Sequence, residues 1–156
     1  DGSYVSALVS YGSEVLVGGS FSSAGGILVG NIARWNGANW QRLTDVECDR
    51  QCRYVGEQSV CAQTECDLGG PVAALAVAGP TVFAAGGFTM AGGRVVNGVA
   101  MYDNYVWKPL GNGVSGGVNV LGLMPLFVPR NGVLAGVQEG ACLYVGGQFE
   151  AVGASG

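Results

Sequence analysis

The chain repeats itself, and this constrains its fold more than any other feature. Residues 5–43 align without a gap onto residues 72–110. Val5, Leu8 and the run Val15-Leu16-Val17-Gly18-Gly19-Ser20-Phe21 fall on Val72, Leu75 and Val82-Phe83-Ala84-Ala85-Gly86-Gly87-Phe88. Ala24-Gly25-Gly26 falls on Ala91-Gly92-Gly93, Trp35 on Tyr102, Trp40 on Trp107 and Leu43 on Leu110. A third copy begins at Val118 and Leu121, breaks off, and resumes at Leu143-Tyr144-Val145-Gly146-Gly147-Gln148-Phe149. A unit that recurs in this way cannot bury its apolar face alone and must stack on its neighbours.

The matches divide the chain into repeat 1 (residues 1–43), an insertion (44–70), repeat 2 (71–113) and an interrupted partial repeat 3 (114–156). A second insertion runs from about Gly122 to Cys142. Between Val72 and Val118 nothing intervenes, and the period there is about 46 residues, within the range of propeller blades. Each copy reads as four short strands, which in repeat 1 are 5–10, 15–19, 31–35 and 39–43. Gly12-Ser13 turns the first into the second. Residues 22–30 form a glycine-rich loop, and Asn36-Gly37 is a hairpin signal because both residues tolerate positive φ. No segment carries a helical pattern. The expected fold is all-β: four-stranded antiparallel blades of a β-propeller, a partial array of about two and a half repeats.

Within each unit the special residues have physical roles. Gly18-Gly19 ends an inner strand where side chains would clash with the neighbouring blade or chain. Phe21 and Phe88 plug the space beside it. Trp35 and Trp40 flank a tight turn, so their rings either meet across the hairpin or pack between blades. Because the aromatic residues recur at equivalent positions, blade core is favoured for them over a sugar-stacking platform.

Composition narrows the function. Charged residues make up only 12% of the chain and apolar residues 49%, which excludes a solvated disordered chain. The 29 glycines lack a Gly-X-Y period, so collagen is excluded. Net charge is −4 and the seven Lys and Arg are scattered, which argues against nucleic acid as a partner. No apolar run approaches the roughly 18 residues that would span a bilayer. Histidine is absent, which removes the commonest general base and metal ligand. No nucleophile motif stands out, and Glu14 and Asp103 occupy non-equivalent positions in the repeats. We therefore expect no enzyme and no cofactor.

The apolar strand, the double glycine and the spaced aromatics of "GGSFSSAGG" and "NIARWNGANW" resemble kelch repeats and the repeats of galactose-oxidase-type propellers. They are also similar to long repeat arrays in large secreted or surface proteins. The resemblance covers the two full copies and the start of the third. It implies a propeller fold and an extracellular setting, and says little about activity because propellers host many. The copper site of galactose oxidase needs tyrosine and histidine ligands, so nothing of it carries over. Ala85 stands where repeat 1 has Gly18, and the aromatic spacing departs from the usual kelch arrangement.

Cys48, Cys52, Cys61 and Cys66 follow a C-x3-C-x8-C-x4-C spacing in an insertion of low apolar content. Two disulfides would staple it. A zinc site is the rival, with spacings off the familiar C-x2-C pairs and no histidine to help. Four cysteines allow three pairings, of which sequence order favours Cys48 with Cys61 and Cys52 with Cys66. The insertion resembles a shortened growth-factor-like cysteine module. Cys142 is left over, either a buried thiol or the partner of a cysteine elsewhere. Asp45, Glu47, Asp49, Glu57, Glu65 and Asp67 also lie in the insertion and are read as a solvated acidic loop rather than a calcium site.

The second insertion holds Leu121, Leu123, Met124, Leu126, Phe127 and Val128, punctuated by Pro125 and Pro129. The prolines disfavour a regular central strand, and an apolar loop of this kind marks a contact surface. Met124, Leu126, Phe127 and Val128 are its candidate partner contacts. The reading is an extracellular or cell-surface structural or adhesive module, part of a larger surface or filament protein. Its partners would be other protein subunits or further segments of the same protein. A glycan- or protein-binding module is the alternative. No segment resembles a leader peptide, so a secreted product is expected to begin upstream of Asp1.

Overall fold

The structure, a computed structural model, describes residues 2–44, 53–55, 58–60, 67–125 and 141–152. Among these there is no helix, and the fold is all-β. The first sheet contains β1 (Tyr4–Tyr11) and β2 (Glu14–Ser20), followed by a small hairpin of β3 (Ser23–Ala24) and β4 (Ile27–Leu28), then β5 (Ile32–Trp35) and β6 (Trp40–Gln41). Its order is β1-β2-β5-β6, antiparallel throughout, with the β3–β4 hairpin standing outside the sheet. Within the insertion β7 (Arg53–Val55) pairs with β8 (Gln58–Val60).

The second sheet repeats the first. β9 (Val72–Ala78) and β10 (Thr81–Gly86) precede a hairpin of β11 (Met90–Ala91) and β12 (Arg94–Val95), then β13 (Val99–Asp103) and β14 (Val106–Pro109). Its order, β9-β10-β13-β14, is that of the first sheet strand for strand. A long hairpin of β15 (Val114–Pro125) and β16 (Ala141–Val152) follows. The first strands line up across the stack: β1 packs beside β9, and β9 beside β15.

One device recurs at the same place in all three units. Val5 pairs with Gly19, Val72 with Gly86 and Val118 with Gly147, and after each pair the first strand carries one extra residue. The extra residues are Ser6, Ala73 and Asn119. Such a bulge bends the strand and deepens its twist. It also explains the second glycine of each pair. A Cβ on Gly19 would lie 2.1 Å from the Tyr4 carbonyl oxygen, one on Gly86 2.2 Å from that of Pro71, and one on Gly147 2.2 Å from that of Gly117. The obstacle is backbone each time, so no rotamer change relieves it.

The core lies between the sheets. Leu16, Ile32 and Leu43 of the first unit meet Val72, Val82, Phe88, Ala91, Tyr102 and Trp107 of the second. A second cluster joins Ala85 and Val99 to Val114 and Val118 of the third. Polar bonds reinforce the first junction. The Tyr102 hydroxyl donates to the Leu43 carbonyl at 2.6 Å and the Tyr11 hydroxyl to that of Pro80 at 3.1 Å. The Ser6 hydroxyl, on the bulge, donates to the Val72 carbonyl.

The tight turns follow the expected chemistry. Gly37 has φ 97°, and the Asn36 side-chain oxygen accepts from the amides of Ala38 and Asn39. Trp35 and Trp40 face each other across this hairpin with ring centroids 5.3 Å apart, and Tyr102 and Trp107 repeat the pair at 5.2 Å. Three expectations need correction. The glycine-rich loop 22–30 contains the β3–β4 hairpin, because Gly25 and Gly26 supply consecutive positive φ values for its turn. The segment Gly122 to Pro125 is strand rather than loop, since β15 runs on opposite β16 and Pro125 comes only at its end, paired with Ala141. Asp67 is buried, as described next.

Candidate functional site

Two features stand out: a buried carboxylate at the root of the insertion and the unequal faces of the stack. Asp67 is 1% exposed. Its carboxylate accepts the Gly30 amide at 3.0 Å and the Thr44 hydroxyl. Its carbonyl accepts the Gly92 amide at 3.0 Å. Leu68 follows, fully buried, bridged to Ala91 and bonded through its amide to the Gly30 carbonyl. Asn31, at φ 64°, donates its side-chain amide to the Leu68 carbonyl at 2.8 Å. Thr44 and Asp67 thus clamp the two ends of the insertion together while residues 67–69 lie between the sheets. The solvated reading of this acid fails because its oxygens replace water with an amide and a hydroxyl, the condition for burying a carboxylate. Composition hid it. The signal was position: a lone Asp directly before Leu68-Gly69-Gly70, facing a Thr directly after Leu43.

The faces of the stack differ by what covers them. Val72 and Val118 are each 1% exposed, whereas Val5, at the same place in the first unit, is 59% exposed. Leu8 is 69% exposed, while its counterparts Leu75 and Leu121 pack against the core clusters. The contrast extends across the face. Phe88, Ala91 and Trp107 are buried, and Phe21, Ala24 and Trp40 are only half-buried. At the other end, Tyr144 is 54% exposed where the first unit has the fully buried Leu16.

The junction geometry is specific. A Cβ on Gly18 would lie 2.6 Å from Val72 Cγ1 and 3.1 Å from Leu75 Cδ1, so this glycine is the hollow that receives the next unit's Val and Leu. At the second junction Ala85 occupies the hollow and clusters with Val118. In the third unit the corresponding residue is Gly146, where an added Cβ would meet, among the described residues, Val120 of its own hairpin at 3.7 Å.

Beside the open first face, Tyr4, Val5, Phe21, Ala24 and Trp40 line a cleft of about 380 Å³. Gly25 closes one wall, and Trp40 Cδ1 would lie 2.4 Å from a Cβ there. The buried Trp107 Nε1 has no hydrogen-bond partner among the described residues. Two ion pairs lie in the repeats, Arg34 with Glu14 at 3.4 Å and Lys108 with Asp103 at 2.8 Å. Among the described residues no three His, Cys, Asp or Glu side chains gather as metal ligands, and no helix is long and apolar enough to cross a membrane.

Of the residues singled out from sequence, Met124 lies in β15 opposite Cys142 of β16. Leu126, Phe127 and Val128 fall outside the described residues, as do Cys48, Cys52, Cys61 and Cys66. Of the other five acids of the insertion, all lie outside as well. What sequence reading missed was Asp67 as a clamp and the first face as a surface. Compared with family models, with curated proteins and with solved structures, the chain matches none.

Proposed function

We propose that the chain is a structural or adhesive extracellular module, a partial β-propeller array of kelch-like blades within a larger surface or filament protein. One observation carries the reading. The face that is buried at both internal junctions is bare on the first unit, with Val5 and Leu8 exposed where Val72 and Val118 are sealed. A repeat that caps an array carries a polar outer face, and Val5 and Leu8 are apolar, which supports a face meant to be covered. The insertion, stapled by disulfides among Cys48, Cys52, Cys61 and Cys66, suits an oxidising compartment. The work of such a module is to hold partners, and it needs no cofactor.

The test is to localise the chain in its source with a specific antibody and extract it stepwise. A surface location, with release only under denaturing conditions, is the expected result. Recovery as a free intracellular monomer would overturn the reading. A second reading, a glycan-binding module, has the cleft beside Tyr4, Phe21 and Trp40 in its favour. Aromatic faces of this kind stack on sugar rings. Titration with an oligosaccharide panel decides it: saturable binding abolished by Trp40→Ala favours the glycan reading.

A further inference from the structure

The two internal junctions share a backbone pattern and differ in one side chain. At the first, the Gly19 amide donates to the Asn31 carbonyl, the Asn31 amide to the Phe21 carbonyl and the Leu68 amide to the Gly30 carbonyl, at 3.0, 3.0 and 3.2 Å. At the second, the amides of Gly86, Gly98 and Val114 donate to the carbonyls of Gly98, Phe88 and Asn97, at 3.0, 3.0 and 2.9 Å. The left-handed residue is kept as well, with φ 64° at Asn31 and 66° at Gly98. Its side chain is not kept. The Asn31 carboxamide bridges the first junction: its oxygen accepts the Phe21 amide at 3.3 Å, and its nitrogen donates to the Leu68 carbonyl at 2.8 Å. Gly98 has no group to put there.

The second junction therefore keeps both ends of the bridge without the bridge. The Phe88 amide finds no acceptor among the described residues. The Val114 carbonyl points to the same side of β15 as the Val114 amide, toward Asn97 and Gly98. Phe88, Gly98 and Val114 are buried and floor a cleft of about 450 Å³. That lies within the roughly 300–1,000 Å³ of small-ligand sites. Thr89, Asn97, Asn112 and Ser115 form an exposed rim, and among the described residues no charged side chain lines the cleft. Asn97 is held in place by donating to the Asn112 carbonyl at 2.8 Å. A buried amide without an acceptor is costly, so a ligand that supplies one recovers what Asn31 supplies at the first junction.

We infer that this niche binds the acetamido group of an N-acetylated amino sugar in the place of the missing asparagine side chain. The acetamido oxygen accepts from the Phe88 amide, and its N–H donates to the Val114 carbonyl. The rim selects a sugar over a peptide, because it offers hydroxyls and carboxamides to the ring hydroxyls and no charge or apolar side chain to a peptide. The inference goes beyond the module reading and does not depend on it, since cellular location decides that reading and binding by the purified chain decides this one. The niche is also separate from the cleft beside Trp40.

The experiment titrates the whole chain, labelled with nitrogen-15, with the methyl glycoside of N-acetylglucosamine and follows backbone amides by NMR. Saturable shifts centred on Phe88, Gly98 and Val114 are expected, with a Kd of about 1 mM or tighter. Methyl glucoside, which lacks the acetamido group, is expected to leave these amides unmoved. Gly98→Asn supplies the bridge from within; an added Cβ there lies 3.2 Å from the Gly86 carbonyl oxygen, and Asn31 already adopts this backbone conformation. Circular dichroism checks its fold, and the variant is expected to lose the binding. Trp40→Ala is expected to retain it. If Gly98→Asn does not fold, the wild-type shift map and the glucoside control decide alone. The inference is overturned by any of four results: no saturable shift, which would leave the niche to water; equal shifts with methyl glucoside; shifts centred elsewhere or abolished by Trp40→Ala; or undiminished binding by folded Gly98→Asn.

Discussion

Alanine at three glycines of one structural family should give three different outcomes. Gly19→Ala places a methyl 2.1 Å from the Tyr4 carbonyl oxygen and 2.9 Å from Val5 Cα. Both are backbone on the paired strand, so β1 and β2 must part or the bulge must be lost. Overpacking that moves backbone costs about 1–3 kcal/mol, and this case belongs at the top of that range. Gly18→Ala meets Val72 Cγ1 at 2.6 Å and Leu75 Cδ1 at 3.1 Å. These are side-chain atoms across a junction, which yields somewhat, although valine is stiff about χ1. A loss of about 1–2 kcal/mol is expected. Gly146→Ala meets, among the described residues, only Val120 at 3.7 Å. There the substitution removes glycine's excess freedom in the unfolded chain, a gain of about 0.5–1 kcal/mol in a strand. Urea unfolding followed by tryptophan fluorescence reads the series, with stability taken from the midpoint at constant slope. Each kcal/mol should move Tm by roughly 2–4 °C in a chain of this size. One low protein concentration is used throughout, since association at the open faces would add concentration-dependent stability. Gly19→Ala within about 0.5 kcal/mol of wild type, or less damaging than Gly146→Ala, would refute the bulge as the reason for the glycine pair.

Asp67→Ala should destabilise by about 1–3 kcal/mol, because the Gly30 amide and the Thr44 hydroxyl lose a buried acceptor; Asp67→Asn, which keeps an acceptor oxygen, should cost less, and the reverse order in urea would count against the clamp. Under non-reducing conditions, mass spectrometry of the intact chain is expected to show Cys48, Cys52, Cys61 and Cys66 oxidised and metal-free; four free thiols or bound zinc would sink that expectation. The double variant Met124→Ser, Phe127→Ser should assemble less well while its circular dichroism is unchanged, and normal assembly would remove the second insertion from the contact surface.

Much of the fold is written in residue type at fixed offset. The apolar strand, the glycine pair and the aromatic hairpin place the principal strands of both full units to within a residue or two. The Trp35–Trp40 contact follows from Asn36-Gly37 lying between them. What stayed hidden is what depends on a neighbour. Asp67 looks like any acid of the insertion until Gly30 and Thr44 are brought against it from another part of the chain. The β3–β4 hairpin is only two residues long on each side, too short for an alternating pattern to register. The continuation of β15 was obscured by Pro125, which proves to sit at the strand's end, where a missing amide costs least. The exposed first face was invisible because Val5 and Leu8 have the same sequence setting as Val72 and Leu75; only the stack tells them apart.

The asymmetry of each unit gives the stack a direction. One face carries protruding Val and Leu, and the opposite face carries a hollow whose floor is a glycine or an alanine. At the internal junctions the protruding set always meets the small residue of the unit before it, Val72 and Leu75 at Gly18 and Val118 at Ala85, so the packing runs one way along the chain. The hollows are also graded. Gly18 admits Val72 and Leu75 so closely that even a methyl would crowd them, whereas the junction at Ala85 is already floored by one. The strand residue paired with this floor is the same at both: Ala7 lies opposite Gly18 and Ala74 opposite Ala85. The floor residue therefore sets how closely the next unit's valine and leucine approach, a glycine at the first junction and an alanine at the second.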